Sequence, residues 1–95
     1  MVMKKTSENL VKKQIKDCLN IMGWFHFPIT QGFGSFKGIC DRIAIKKGKV
    51  LFIECKGPNG KLTLHQERFK KYIKMHGGIY VEARSYEDVA KYEKD

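Results

Sequence analysis

Two β-prone segments separated by one short turn constrain the fold of this chain more than any other feature. The segments are residues 41–45 and 50–56, and the turn between them contains Gly48. Glycine supplies the positive φ angle that a tight hairpin loop requires, so Lys47 and Gly48 are predicted to form a two-residue loop. A loop of that length fixes which residues face each other, and the sequence therefore predicts an antiparallel hairpin of defined register.

The predicted register brings two acidic side chains together. Asp41 lies directly opposite Glu54, and directly opposed side chains have Cβ atoms about 4.5 to 5.5 Å apart on one face of the sheet. Lys56 lies two residues beyond Glu54 and projects to the same face. Carboxylates this close repel each other unless a cation lies between them or one of them is protonated. The arrangement therefore predicts a divalent-metal site such as one for Mg²⁺, with Lys56 placed to stabilise charge on a phosphate.

The same residues also allow an interpretation without chemistry. Asp41 and Glu54 could pair with Lys56 in an exposed cross-strand patch, which would contribute about 0 to 1 kcal/mol to stability. If the residues form the metal site instead, replacing Glu54 or Lys56 by Ala is expected to abolish cleavage but leave the melting temperature nearly unchanged, because polar surface groups contribute little to stability. Unfolding of either variant would indicate a structural role.

Apolar spacings of three and four residues, together with capping residues, predict three helices. They cover residues 6–22, 63–76 and 85–94. Ser7 or Thr6 can cap the first helix, and Thr63-x-x-Gln66 forms a capping box for the second. The apolar residues that the second helix is expected to carry inward are Leu64, Phe69, Tyr72 and Ile73. The third helix is expected to begin at Ser85-x-x-Asp88, in which Asp is a weaker partner than Glu or Gln.

The remaining β-prone segments complete the fold prediction. Four strands are predicted, at residues 24–29, 41–45, 50–56 and 79–83, with Trp24, Phe25 and Phe27 in the core. A glycine-rich loop covers residues 30–38. The order α-β-β-β-α-β-α predicts an α/β fold with a small mixed sheet flanked by helices, and 95 residues suffice for a single domain over residues 1–95.

The charge of the chain indicates a polyanionic partner. Nineteen Lys and Arg residues against ten Asp and Glu residues give a net charge of +9. Sixteen of the basic residues are lysines, which suit backbone phosphates better than the bidentate recognition of base edges. Sequence-specific DNA recognition is therefore disfavoured. The lysine excess could equally reflect genomic base composition and solubility, and charge alone leaves both explanations open.

Several other functional classes are excluded. The cysteines, which have no C-x-x-C spacing and are expected to be reduced and mostly buried, are Cys18, Cys40 and Cys55. The histidines, which do not combine at zinc-binding spacings, are His26, His65 and His76. Residues 32–34 do not fit a G-x-G-x-x-G nucleotide-binding motif. With no apolar run of membrane-spanning length and no signal-peptide pattern, the chain is expected to be cytoplasmic, with no membrane partner and no nucleotide cofactor.

These motifs also resemble a known family. Asp41 followed by Ile53-Glu54-Cys55-Lys56 resembles the PD-(D/E)xK nuclease signature. Residues 54–66 are similar to the segment that marks the virus-type replication-repair nuclease branch, the VRR-NUC domain, whose core is a restriction-endonuclease-like αβββαβ fold. The chain departs from the family at Cys40, where Pro is usual, and at Asn59-Gly60, where an acidic residue is often found.

The resemblance implies roles for individual residues. The implied metal ligands are Glu8, Asp41, Glu54 and the main-chain carbonyl of Cys55. Lys56 is the implied catalytic lysine, and Gln66 is an implied supporting active-site residue. Without the resemblance, Glu8 is explained by the helix dipole and a pair with Lys12, and Gln66 by the capping box. Lys37, in the glycine-rich loop, and Lys61 are predicted DNA contacts.

Stand-alone domains of this length resemble the phage-borne members of the family, which implies homodimers that cut branched DNA such as four-way (Holliday) junctions. Two symmetric cuts need two active sites, so a two-fold dimer is the economical architecture. Candidates for its interface are Phe33, Phe36 and the last strand. The sequence thus predicts an Mg²⁺- or Mn²⁺-dependent endodeoxyribonuclease selecting DNA by structure. The resemblance to phage-borne members implies that it is phage-encoded in a bacterial host. The alternative is a non-catalytic basic nucleic-acid-binding module on the same fold.

Overall fold

A computed structural model describes residues 7–93 and shows an α/β fold built on one four-stranded sheet. The strands are β1 (Phe25–Pro28), β2 (Arg42–Lys46), β3 (Lys49–Cys55) and β4 (Ile79–Ala83), and they lie in the sheet in that order. The helices are α1 (Glu8–Met22), α2 (Leu64–Met75), the short α3 (Glu87–Ala90) and a final 3₁₀ turn (Lys91–Glu93). The first two strand pairs are antiparallel and β3–β4 is parallel, so the predicted mixed sheet and order of elements are confirmed.

The central hairpin has the register that its glycine predicts. Lys46 pairs with Lys49, which leaves Lys47 and Gly48 as the loop. Both loop residues have positive φ angles, 52° and 81°, as a tight hairpin turn with matched strand twist requires. A local signal therefore fixes the strand pairing that positions every side chain on these two strands.

Helix α1 follows its predicted boundaries closely. Ser7 caps it by accepting a hydrogen bond from the N–H of Leu10, and Gly23 ends it in the left-handed conformation. The expectations placed on Thr6 and Lys94 lie outside the described residues. At the other end of the chain, Ser85 does not cap α3. Instead the Asp88 carboxylate accepts the N–H groups of Arg84 and Ser85.

Helix α2 begins with the predicted capping box, but one of its apolar side chains was assigned to the wrong face. Phe69 is buried, whereas Leu64 is 87% exposed. Five residues separate the two, which places Leu64 about 140° around the helix from Phe69. Tyr72 shares the face of Phe69, but its predicted burial is wrong, since its side chain is also exposed. The helix ends at Met75 with His76 as its cap.

The two faces of the sheet are covered unequally. On one face α1 and α3 close the main core, whose buried residues are Val11, Ile15, Leu19, Trp24, Ala44, Leu51, Ile53, Cys55, Val81, Ala83 and Val89. On the other face α2 packs against β4 and places Phe69 beside Phe52 and Tyr80. Over β1 and β2 this second face is incompletely covered, because Phe25 is exposed and Phe27, Ile43 and Ile45 are only half-buried.

The expectation that Phe25 belongs to the core is therefore wrong. Strand β1 is an edge strand, and Phe25 pairs with Ile45 on the incompletely covered face, where its side chain stays 66% exposed. Trp24, next to it, is buried in the main core as predicted. Between residues 7 and 93, no helix has the length and hydrophobicity needed to cross a membrane.

Candidate active site

Asp41 is fixed at the start of β2 by two hydrogen bonds to β3. Regular pairing stops at Arg42 opposite Ile53, and the Asp41 N–H donates to the Ile53 carbonyl at 2.9 Å. Asp41 Oδ2 accepts the N–H of Cys55 at 2.8 Å. The predicted direct pairing of Asp41 with Glu54 is therefore not formed, because the ladder ends one residue earlier and the Asp41 N–H bonds to Ile53 instead. The Asp41 carboxylate is still near enough to Glu54 to raise its pKa.

Glu54 is the most deeply buried carboxylate of this region, with 2% of its surface exposed. Its Oε2 accepts a hydrogen bond from Gln66 Nε2 at 3.1 Å and lies 3.9 Å from Lys56 Nζ. Its Oε1 is buried and has no hydrogen-bond partner within residues 7–93. Burial raises the pKa of Glu54 to about 8, the carboxylate of Asp41 adds to the rise, and the ammonium of Lys56 opposes it.

The interpretation of these residues as an exposed ion-pair patch is wrong. Lys56 is only 7% exposed and, like Glu54, lies below the protein surface. Removing one partner of a buried pair leaves the other charge uncompensated, which costs far more than losing a surface pair. The expectation that Ala at either position leaves stability unchanged therefore rests on a wrong premise.

Gln66 performs two structural tasks at once. Its side-chain oxygen accepts the Thr63 N–H at 2.9 Å, which completes the capping box of α2. Its side-chain nitrogen donates to Glu54 at 3.1 Å. The Gln66 side-chain amide thus completes the helix cap and contacts the acidic site at the same time.

Glu8 reaches the same region from the first turn of α1. Its carboxylate lies 3.5 Å from the ammonium of Lys12, one turn further along, and this ammonium lies 3.9 Å from Asp41 Oδ1. Sequence reasoning recognised Lys12 only as a helical partner of Glu8. The contact between Lys12 and Asp41 depends on how α1 packs against the sheet, which no local pattern specifies.

The other predicted site residues lie around this cluster. Lys37 and Lys61 are exposed in the loops that precede β2 and α2, so their assignment as DNA contacts stays a prediction. The loop containing Lys37 is packed tightly at Gly38, where a Cβ atom would come within 2.3 Å of the His65 carbonyl oxygen of α2.

Two cysteines flank the acidic residues in sequence. Cys40 precedes Asp41, Cys55 follows Glu54, and both thiols are buried. Burial raises the pKa of each thiol to about 12, so neither is a nucleophile near neutral pH. The Cys55 side chain lies in the main core, so only its main chain faces the acidic cluster.

The donor set suits a hard divalent cation that retains water. Within residues 7–93, no three His, Cys, Asp or Glu side chains cluster tightly enough to hold an ion alone. Mg²⁺ commonly uses one or two carboxylates, with waters and substrate oxygens as its other ligands. Asp41 Oδ2 and Glu54 Oε2 are held by protein donors, whereas the second oxygen of each carboxylate accepts no hydrogen bond from the described residues. One oxygen from each acid therefore remains for a cation.

The architecture that positions these groups is similar to a known structure. A solved structure described as a VRR_NUC domain superposes with a TM-score of 0.75 and 25% sequence identity, covering 90% of this chain and 92% of that chain. No protein-family model and no curated protein sequence matches the chain. The structural similarity confirms what the sequence motifs indicated: the chain has the fold of the VRR-NUC nuclease domains, with a restriction-endonuclease-like core.

Proposed function

We propose that the protein is a metal-dependent, structure-selective DNA endonuclease that hydrolyses phosphodiester bonds. The observation that carries this proposal is the buried carboxylate of Glu54, beside Asp41, with one oxygen left unpartnered. Burying a carboxylate costs several kcal/mol, and Lys56 and Gln66 compensate only one of its oxygens. A strongly perturbed acid held by a specific partner is typical of functional sites.

The residues of the cluster support distinct roles. Asp41 and Glu54 would hold Mg²⁺ or Mn²⁺, with Glu8 and the Cys55 carbonyl as further ligands. Such an ion lowers the pKa of water and neutralises charge on a phosphate. Lys56 lies beside Glu54 and supplies a buried positive charge for the phosphate oxygens. Gln66 holds Glu54 in one orientation and acts as a positioning residue.

The charge distribution supports DNA as the substrate. The net charge of +9 favours a polyanion, and most of the basic residues are lysines, which bind phosphates without recognising bases. Lys37 is exposed on the loop that leads to Asp41, and Lys61 is exposed on the loop that leads to α2 and Gln66. Binding through backbone phosphates would select DNA by its shape, as branched substrates such as four-way junctions require.

The incompletely covered sheet face supports a homodimer. Apolar side chains on this face are only partly buried, and they belong to Phe25, Phe27, Ile43, Ile45, Val50 and Phe52. A contiguous apolar face of this kind is typical of a protein interface. A second copy packed against it would place two active sites on one particle, as paired cuts in a junction require.

Cleavage of a labelled four-way junction tests the proposal. Wild-type protein is expected to cut with Mg²⁺ or Mn²⁺ and not with EDTA, whereas Glu54→Gln and Lys56→Met are expected to reduce the rate at least about 100-fold. Glu82→Gln is the matched control. Glu82 lies next to Glu54 in the register of β3 and β4, but its carboxylate forms ion pairs with Arg84 and Lys70. Junction binding without metal-dependent product between about pH 7 and 9 would instead support the non-catalytic binding module.

A further inference from the structure

We propose that Lys12 is an internal counter-cation that competes with the divalent ion for the acidic cluster. This inference rests on the proposed function and adds a residue that neither the nuclease signature nor the sequence pattern assigns to the site. The Lys12 ammonium lies 3.5 Å from Glu8 Oε2 and 3.9 Å from Asp41 Oδ1. Lys12 thus joins a carboxylate of α1 to a carboxylate of the sheet.

Lys12 approaches the Asp41 oxygen that accepts no hydrogen bond from the described residues. Asp41 Oδ2 is committed to the Cys55 N–H, so Oδ1 is the oxygen that can bind a cation. Lys12 lies beside that oxygen, and Glu8, the other acid it contacts, is itself an implied metal ligand. An ammonium and a divalent ion at the same oxygens repel each other, so one must leave as the other binds.

The position of Lys12 suits exchange better than permanent pairing. Its side chain is 44% exposed, and both contacts are longer than a normal hydrogen bond. Lys56, by contrast, is buried beside Glu54 and has little freedom to move away. The site therefore combines one fixed lysine and one displaceable lysine, and the displaceable one lowers the affinity for a divalent ion.

A neighbouring lysine provides a matched control. Lys13 also lies on α1 and also pairs with an acid one turn away, because its Nζ lies 2.8 Å from Asp17. That pair is exposed and involves none of the proposed metal ligands. Substituting Lys13 removes the same charge from the same helix but leaves the acidic cluster intact.

The experiment measures Mn²⁺ binding to the DNA-free full chain by isothermal titration calorimetry. Lys12→Met is expected to bind Mn²⁺ about tenfold more tightly than wild type, because a cation close to the ion has been removed. Lys13→Met and the charge-conserving Lys12→Arg are expected to stay within about twofold of wild type, since neither changes the charge at Asp41. Circular dichroism melting of each variant confirms that it is folded.

The outcomes separate this inference from the proposed function. If wild type binds Mn²⁺ but Lys12→Met binds no more tightly than Lys13→Met, the role of Lys12 is overturned and the nuclease proposal stands. If neither wild type nor Lys12→Met binds Mn²⁺, both proposals fail. Tighter binding in both lysine variants would show a general charge effect and would also overturn the specific role of Lys12.

Discussion

Folding buries the carboxyl group of Glu54, and this burial opposes the ionisation that its proposed role as a metal ligand requires. In the unfolded chain its carboxyl group is hydrated and ionises at its ordinary pKa of 4.5, whereas burial raises that pKa to about 8 in the folded protein. Each unit of difference corresponds to about 1.4 kcal/mol, so ionised Glu54 opposes folding by a few kcal/mol. A bound cation would relieve this cost, which links occupation of the site to stability.

The shifted pKa of Glu54 predicts how stability depends on pH. Between pH 4.5 and about 8, folded Glu54 keeps a proton that the unfolded chain releases, so the free energy of unfolding falls as the pH rises through this window. Urea unfolding in EDTA should therefore show wild type less stable at pH 8.5 than at pH 5. Glu54→Gln, which cannot ionise, should lose most of that decline, whereas Glu82→Gln should keep it. Equal slopes for wild type and Glu54→Gln would contradict the assignment.

At the scale of elements, the loop before β2 and the start of α2 form one unit. Gly38 approaches the His65 carbonyl so closely that no larger residue fits, and its φ angle is 85°. The next residue of α2 is Gln66, which holds Glu54. Displacing this loop would therefore disturb the acidic cluster through the first turn of α2.

Substitutions at two glycines of this loop distinguish the stability cost of backbone strain from the cost of a steric clash. Gly34 has a φ angle of 90° but open space at its Cβ position, so Gly34→Ala tests the strain alone and should cost about 1 kcal/mol. Gly38→Ala adds a clash with main-chain atoms and should cost roughly 2 kcal/mol more. Differential scanning calorimetry of both variants measures the difference. Equal losses would show that the contact between Gly38 and α2 is unimportant for stability.

The elements that could be predicted from the sequence are those with local signals. Gly48 specified the hairpin register, and Thr63 with Gln66 specified the start of α2, because turns and caps depend on neighbouring residues. The burial of Glu54 and the exposure of Phe25 could not be predicted, since each depends on which helix covers which half of the sheet. Local patterns define strands and helices, whereas their coverage is a property of the assembled layers.

The candidate site shows the same limit. Asp41, Glu54 and Lys56 follow from the hairpin and its signature, so the sequence alone brings them to one region. Lys12 was not predicted to join them, because its contact with Asp41 crosses from α1 to β2. A helix periodicity shows which residues share a face, but it does not show which strand end that face meets.

At the scale of the whole molecule, the incompletely covered face of the sheet is the proposed interface between two copies of the chain. The proposed dimer buries Phe25 and its neighbours on β2 and β3, so Phe25→Glu should convert the dimer into a monomer by placing charges in the interface. Ile21→Glu is the control, because Ile21 is 85% exposed but lies on α1, on the opposite side of the sheet. Sedimentation velocity distinguishes the two states, and a dimer that survives Phe25→Glu would place the interface elsewhere.

The two buried thiols give the molecule an internal reporter. Cys40 adjoins Asp41 and Cys55 adjoins Glu54, and both sulfurs are buried, so a reagent can reach either one only when the structure around it opens. Cys18, which is partly accessible on α1, supplies a reference rate within the same chain. Alkylation followed by mass spectrometry would measure the rate of local opening beside Asp41 and Glu54 without any engineered label.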